Sequence, residues 1–162
     1  MKAKITFYLF FLCAFYSKAQ TLQWAKSFVG PGGGGSEILV DATGNVFTIG
    51  NFSGSTDFDP SASTFTLDAT SGNAYISKLD ASGNFVWAKQ FGGSGAGATS
   101  IALDASGNIY IAGNFFGTAD FDPGIGTYTF TSSGSADNFI LKLDPSGNLD
   151  RKSTRLNSSH SS

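Results

Sequence analysis

Two pairs of aspartates are the side chains of this sequence best placed to do chemistry. Asp57 and Asp59 form one pair, Asp120 and Asp122 form the other, and each pair lies in the text Asp-Phe-Asp-Pro. In an extended segment, residues two apart point to the same side, so each pair could offer two carboxylates to a calcium ion. Asp137 lies at the far end of the same insertion as the second pair and could supply a third carboxylate.

This calcium hypothesis competes with a packing interpretation of the same motif. In the first unit, Asn73 occupies the position that corresponds to Asp137. A calcium site at the first pair would therefore have one negative charge fewer and would bind more weakly. Calcium takes about six to eight oxygen ligands, and two or three carboxylates are visible. The sequence therefore favours the alternative, in which Phe58 and Phe121 pack between neighbouring repeat units while the aspartates stay in water.

The rest of the composition argues against catalysis and against polyanionic partners. Between Gln20 and Leu149 the chain contains no His, Cys or Arg, so it offers no imidazole base, no thiol nucleophile and no guanidinium for a substrate carboxylate. The same segment has four Lys against ten Asp and one Glu, a net charge of 4 − 11 = −7. This charge disfavours nucleic acid and anionic membranes as partners.

An internal duplication indicates which structural elements position these residues. Aligned without a gap, residues 22–60 and 85–123 share 20 identities in 39 positions at an offset of 63. Beyond that point the offset becomes 64, where Tyr75-Ile-Ser-Lys-Leu-Asp80 matches Phe139-Ile-Leu-Lys-Leu-Asp144. A period of this length indicates a repeat architecture, in which each unit buries its faces against its neighbours.

Apolar runs bounded by turn residues predict the strands of each unit. In the second unit, Ile109, Ile111 and Phe115 share one face of a strand and Tyr110 and Ala112 share the other, which indicates burial from both sides. Trp24 and Trp87, one per unit, are interpreted as packing anchors. The predicted strands are 36–41, 45–52, 74–80 and 84–91 in the first unit, 99–104, 108–115 and 138–144 in the second, and an unpaired outer strand at 22–28.

Four turns follow the formula Asp-x-Ser/Thr-Gly-Asn, beginning at Asp41, Asp80, Asp104 and Asp144. The Asp carboxylate can accept backbone N–H groups just downstream, and Gly can take the left-handed conformation that closes a type I turn with a bulge. A role for these carboxylates as ligands is the competing interpretation. The antiparallel order of the strands places these turns at one end of each unit and the acidic insertions, with the Gly-rich links 30–35 and 92–97, at the other.

These motifs resemble a known repeat family. The pattern D-x-S-G-N-x-Y-x-x-G-N-F-x-G-T-x-D-F-D-P, followed by F-I-x-K-L-D-x-S-G-N and W-A-K, resembles the SBBP repeat, named for a seven-bladed β-propeller and common in exported bacterial proteins. The resemblance covers 22–149 and transfers no catalytic residues. It implies an all-β fold of tandem four-stranded antiparallel blades, here an incomplete β-propeller of about two blades. Unit one spans about 29–91 and unit two about 92–149.

Both ends of the chain differ from this repeat region. A basic start, an apolar run from Ile5 to Tyr16 and small residues before Gln20 predict a signal peptide over 1–19, which would carry away Cys13. At the other end, Asp150 to His160 resembles a translated sequencing adaptor and begins where a strand with W-A-K should follow. We therefore expect 150–162 to be non-native and the native protein to be longer.

The sequence thus predicts a secreted or cell-surface module without enzymatic activity, which binds or scaffolds an extracellular protein or glycan. We expect no nucleic-acid partner, no membrane insertion after signal cleavage, and no cofactor unless calcium binds. The alternative is part of a propeller-based hydrolase or lyase whose catalytic residues lie in blades outside this sequence.

Overall fold

The computed structural model describes residues 23–93 and 95–150, and this part of the chain is built from nine strands. The predicted signal peptide and nearly all of the predicted non-native tail lie outside the described residues. Within them, no helix has the length and apolar character needed to cross a membrane. The strands are β1 Gly32–Val40, β2 Val46–Asp57, β3 Thr66–Leu79, β4 Phe85–Phe91, β5 Gly97–Leu103, β6 Ile109–Phe115, β7 Thr118–Asp120, β8 Thr129–Thr131 and β9 Asp137–Leu143.

The strands form two successive antiparallel units, which confirms the predicted all-β fold of tandem blades. The first blade is a four-stranded sheet in the order β1-β2-β3-β4. The second blade contains the sheet β5-β6-β9 together with the short pair β7-β8. Its fourth strand is represented by one bridge, between Leu143 and Leu149.

The Gly-rich link 30–35 before the first blade was predicted as a loop, and this is wrong from Gly32 onward. Residues from Gly32 onward belong to β1, and Gly32 to Gly35 pair with residues 50–53 of β2. The two backbones approach so closely that a Cβ on Gly50 would overlap the carbonyl oxygen of Gly34. Glycine is required here for contact between strands, a role that composition alone does not distinguish from a loop.

The acidic insertions are also more regular than predicted. In the first blade, β2 runs to Asp57 and β3 begins at Thr66, so the insertion is mainly an extension of one hairpin. The second blade repeats the extension as the separate pair β7-β8, after an interruption at Gly117. Gly117 has a φ of 60° and its counterpart Gly54 has a φ of 70°, so both units bend at the same left-handed glycine.

The main core lies between the blades. It joins Phe47, Ile49 and Ile76 of the first blade to a larger set from the second blade, which includes Ile109, Ile111, Phe115, Phe121, Phe139, Leu141 and Leu143. Burial from both sides, predicted for the second strand of a blade, is found in β2. In β6 the prediction of burial from both sides is wrong for the face that carries Tyr110 and Ala112. That face is half-buried because no third blade covers it among the described residues.

Candidate functional site

Each Asp-Phe-Asp-Pro motif caps its own loop through the first aspartate. Asp120 Oδ1 accepts hydrogen bonds from the backbone N–H groups of Asp122 (3.0 Å) and Tyr128 (2.8 Å). Asp57 Oδ1 does the same for Asp59 (3.0 Å) and Phe65 (2.8 Å). Since the geometry is identical in both units, the carboxylate substitutes for backbone partners that the turn would otherwise lack.

The phenylalanine of the motif is buried in both units. Phe58 and Phe121 are each 1% exposed. The Phe121 ring lies 4.8 Å from that of Phe139 and 5.2 Å from that of Phe115, centroid to centroid, within the core between the blades. The interpretation of this residue as a packing element is therefore confirmed.

The motif also joins each unit to the segment that precedes it. Gly92 and Asp120 exchange two backbone hydrogen bonds, and Val29 and Asp57 form the equivalent pair 63 residues earlier. The residue that follows the last strand of one blade is thus tied to the acidic insertion of the next blade. Cap, ring and bridge together make Asp-Phe-Asp-Pro a connector between blades.

The calcium hypothesis stays a prediction. The Asp59 and Asp122 carboxylates accept the backbone N–H groups of Ser61 and Gly124, respectively. Asp137 Oδ2 accepts the backbone N–H of Ser133. Across the described ranges, no group of three or more His, Cys, Asp or Glu side chains is arranged to hold a metal ion.

The four Asp-x-Ser/Thr-Gly-Asn turns adopt the predicted conformation. Asp41 shows the pattern: its Oδ1 accepts from the N–H groups of Thr43 and Asn45, both at 2.9 Å. The glycines of the four turns have φ between 77° and 85°. Sequence reasoning missed the role of the final Asn, whose side-chain amide donates to the second carboxylate oxygen, at 2.8 Å from Asn45 to Asp41 Oδ2.

These hydrogen bonds change the acidity of the turn aspartates. Burial alone would raise the pKa of Asp41, but the hydrogen bonds from Asn45 and Thr43 outweigh it and lower the pKa to about 2. At Asp80 the backbone N–H of Asn84 is the largest contribution that lowers the pKa, and at Asp104 it is the side chain of Asn108. The carboxylates therefore hold turns in the ionised form and are poorly suited to accept a proton near neutral pH.

The tryptophans connect neighbouring units. A Cβ placed on Gly147, in the last turn of the second blade, would lie 3.0 Å from Cη2 of Trp87 in β4. The adjacent Lys89 Nζ donates to Asn148 Oδ1 at 2.9 Å. Trp24 repeats this arrangement one unit earlier, against Gly83, and donates its indole N–H to the carbonyl of Ala81. The interpretation of both tryptophans as packing anchors is confirmed.

One acidic side chain that the sequence did not single out links the first strands of the two blades. Glu37 Oε2 accepts the backbone N–H of Ile101 at 2.6 Å, so a carboxylate on β1 of the first blade binds β5 of the second. The N–H of Ile101 lies just after an irregularity in the pairing of β5, between Ala98 and Ser100. The only signal in the sequence was that Glu37 is the sole glutamate of the chain.

Two buried hydroxyls distinguish the first blade from the second. Ser77 Oγ and Thr56 Oγ1 are buried and have no hydrogen-bond partner among the residues that the structure describes. Their counterparts in the second blade are Leu141 and Ala119, both part of the core between the blades. The face that the first blade turns toward residues 23–28 is therefore more polar than the equivalent face of the second blade.

A groove of about 500 Å³ runs between the blades beside the second acidic loop. Its polar lining comes from Asn73, Lys89, Gln90, Asp120 and Asp122, and its apolar lining includes Phe65 and Phe91. Gln90 Oε1 is buried in the wall and has no hydrogen-bond partner within residues 23–93 and 95–150. The groove opens on the side of the acidic insertions, and its mixture of amide, charged and aromatic groups suits a polar ligand with an apolar face.

Comparison with known proteins gives one match. A family model described as SBBP, a β-propeller repeat, matches residues 86–114, which run from β4 to the next-to-last residue of β6. No curated protein and no solved structure shows a significant match to the chain.

Proposed function

Because the chain belongs to the SBBP β-propeller repeat family, we propose that it is an exported, non-enzymatic module that binds an extracellular protein or glycan in the groove between its blades. The observation that carries the proposal is the groove itself, which is lined by the side chain of Gln90, the carboxylate of Asp122 and the ring of Phe65. Side-chain hydrogen-bond groups beside aromatic surface provide both orientation and contact area for a polar ligand.

The use of the other ionisable residues supports a binding role over catalysis. The turn aspartates and Asp57 and Asp120 are engaged with backbone N–H groups of their own loops. A general acid or base needs a pKa near the working pH, whereas Asp41 has a pKa of about 2. Among the described residues, no contact or pKa favours the alternative function, part of a propeller-based hydrolase or lyase.

Export rests on the predicted signal peptide. Mass spectrometry of chain secreted by a bacterial host should find Gln20 as the mature N-terminus. Retention of the intact chain in the cytoplasm would contradict the export proposal and leave the binding proposal to be tested separately.

Binding is tested with an array of neutral and acidic oligosaccharides and with immobilised envelope proteins. We expect one class to bind, and Gln90→Leu to weaken that binding at least tenfold while thermal unfolding is unchanged or slightly raised. Ser106→Ala, on an exposed turn at the opposite end of the blades, is the matched control and should bind normally. Absence of binding to every probe, or equal binding by the two variants, would overturn the proposal.

A further inference from the structure

The groove beside the second acidic loop runs along the outer edge of β4. Four consecutive residues of that strand, Ala88 to Phe91, line it. The side chains of a strand alternate between its two faces, so four residues in a row can border one groove only where the groove follows the edge of the strand. The core contacts agree, because Ala88 packs with the cluster inside the first blade and Phe91 packs in the core between the blades.

This edge is open although the blade is complete. The strand order of the first sheet is β1-β2-β3-β4, so β3 covers one edge of β4, and no strand of the described chain pairs along the other. A propeller blade has four strands, and β4 lies in the middle of the chain with described residues before and after it. The open edge is therefore a property of the blade itself and does not arise from either end of the described chain.

The backbone of β4 presents hydrogen-bond groups along this edge. Gly92, the residue after the strand, donates its N–H to the carbonyl of Asp120 and accepts the N–H of Asp120 in return. Peptide groups alternate in direction along an extended strand, so the N–H and C=O of Gln90 and Ala88 point to the same side, away from β3. A ladder thus begins on this side between the two blades and stops after one pair of residues.

The two walls of the groove differ in chemistry. On the face of β4 that packs inside the first blade, the wall is formed by Phe65 and Leu67, and the Phe65 side chain is 38% exposed. On the opposite face, the wall is formed by the loop of the second blade, which contributes the carboxylates of Asp120 and Asp122. The segment 20–149 has a net charge of −7, so a cationic group is favoured beside this second wall.

We propose that the groove takes an extended segment of an extracellular protein, which adds antiparallel to the outer edge of β4. This inference rests on the proposed binding role of the groove and selects protein over glycan, because a glycan has no row of peptide groups to pair with Ala88 and Gln90. Pairing of backbone groups along an open sheet edge is a general way of binding extended peptides. The antiparallel direction matches the six strand pairs found in the described residues.

The pairing determines which side chains the bound segment should carry. Residues opposite each other in an antiparallel ladder point to the same face. The partners of Ala88 and Gln90 therefore meet the apolar wall and should be Val or Ile. The residue opposite Phe91 meets the acidic wall and should be Lys or Arg. The residue opposite Lys89 should be uncharged, because like charges directly opposite each other destabilise a sheet.

A synthetic peptide with this pattern is the probe. Acetyl-Lys-Val-Thr-Val-Thr-Val-amide, run antiparallel to β4, places its Lys opposite Phe91 and its first two Val residues opposite Gln90 and Ala88. We expect calorimetric titration to show binding to the mature chain. In amide hydrogen exchange, the saturated complex should protect the N–H groups of Gln90 and Ala88 at least about tenfold. The N–H of Ser106, in a turn at the other end of the blades, should be unaffected.

N-methylation supplies matched controls that keep the charge and side chains of the peptide. Methyl groups on the nitrogens of the first two Val residues remove the donors that face Gln90 and Ala88, and should weaken binding at least about tenfold. Methyl groups on the two Thr nitrogens point away from β4 and should change the affinity by less than about threefold. Glu in place of the peptide Lys should weaken binding by at least about fivefold, since it meets the acidic wall.

The two methylation patterns decide the outcome. Equal effects of both patterns would overturn the inference, because a ligand held only by its side chains would not distinguish them. A loss of binding from the Thr pattern alone would overturn the antiparallel direction. Failure of the unmethylated peptide to bind would also overturn the inference, and an oligosaccharide bound in the groove in that case would leave the proposed function standing.

Discussion

Replacing Gly147 by Ala should cost more stability than replacing Gly107 by Ala, and the difference should report the contact between the blades. Both glycines close the same type of turn, with φ of 77° and 79°. For a residue with a side chain, this left-handed conformation costs about 1–2 kcal/mol, and the cost should be equal at the two positions. Their surroundings differ, because a Cβ at Gly107 would lie 3.5 Å from Pro145, whereas at Gly147 it would lie 3.0 Å from Trp87.

The extra cost at Gly147 follows from that 3.0 Å distance. The Trp87 ring is held between β4 and the turn of the second blade, so it must shift to admit a methyl group. Overpacking of this kind costs about 1–3 kcal/mol. Gly107→Ala should therefore lower the free energy of unfolding by about 1–2 kcal/mol, and Gly147→Ala by about 2–5 kcal/mol.

Urea denaturation followed by far-ultraviolet circular dichroism measures both losses, and a double-mutant cycle assigns the difference. In a Trp87→Phe background the smaller ring leaves room for the methyl group, so the costs of the two glycine replacements should converge to within about 0.5 kcal/mol. Equal losses in the native background would refute the packing of Trp87 on this turn. A difference that persists in the Trp87→Phe background would refute Trp87 as its cause.

Three further perturbations test separate parts of the structure. The pKa of Asp41 is lowered in the folded state, so the contribution of its carboxylate to stability is complete above its ordinary pKa of about 4 and is lost as the pH falls to about 2. Urea midpoints at pH 7, 4 and 2.5 should show this decline, and a flat profile would contradict it. Ser77→Ala removes a buried hydroxyl without a partner and should raise the free energy of unfolding by about 1 kcal/mol, while exposed Ser100→Ala should leave it unchanged; a loss at Ser77 would show that the hydroxyl is bonded. Glu37→Ala leaves the N–H of Ile101 without its acceptor and should cost about 1.5–3 kcal/mol in the same assay, whereas a cost below about 0.5 kcal/mol would contradict the link between β1 and β5.

The repeated parts of the fold could be predicted because the same short-range sequence signals occur in both units. The turns are specified by an Asp that caps and a Gly that takes positive φ, and both signals lie within five residues. The burial of Phe58 and Phe121 could be anticipated for a similar reason, since a large apolar side chain between two aspartates is more stable buried than in water. Local sequence is sufficient where the stabilising partners are also local.

The remaining features depend on neighbours that are distant in the sequence. The pairing of Gly32 to Gly35 with β2 requires a close approach of two backbones, which a run of glycines permits but does not demand. The Glu37–Ile101 hydrogen bond joins residues 64 positions apart and exists only after the blades have stacked. The half-buried face of β6 reflects what lies beside the second blade, which no pattern within that blade encodes.

The stability of Phe121→Ala tests most directly the claim that Asp-Phe-Asp-Pro connects the blades. The Phe121 ring is 1% exposed in the core between the blades, and truncation of a buried Phe costs about 3–5 kcal/mol. Ile125, fully exposed in the same loop, provides the control, and Ile125→Ala should change the free energy of unfolding by less than about 0.5 kcal/mol. We predict a loss of about 3–5 kcal/mol for Phe121→Ala in urea denaturation. A Phe121→Ala protein as stable as Ile125→Ala would contradict the account.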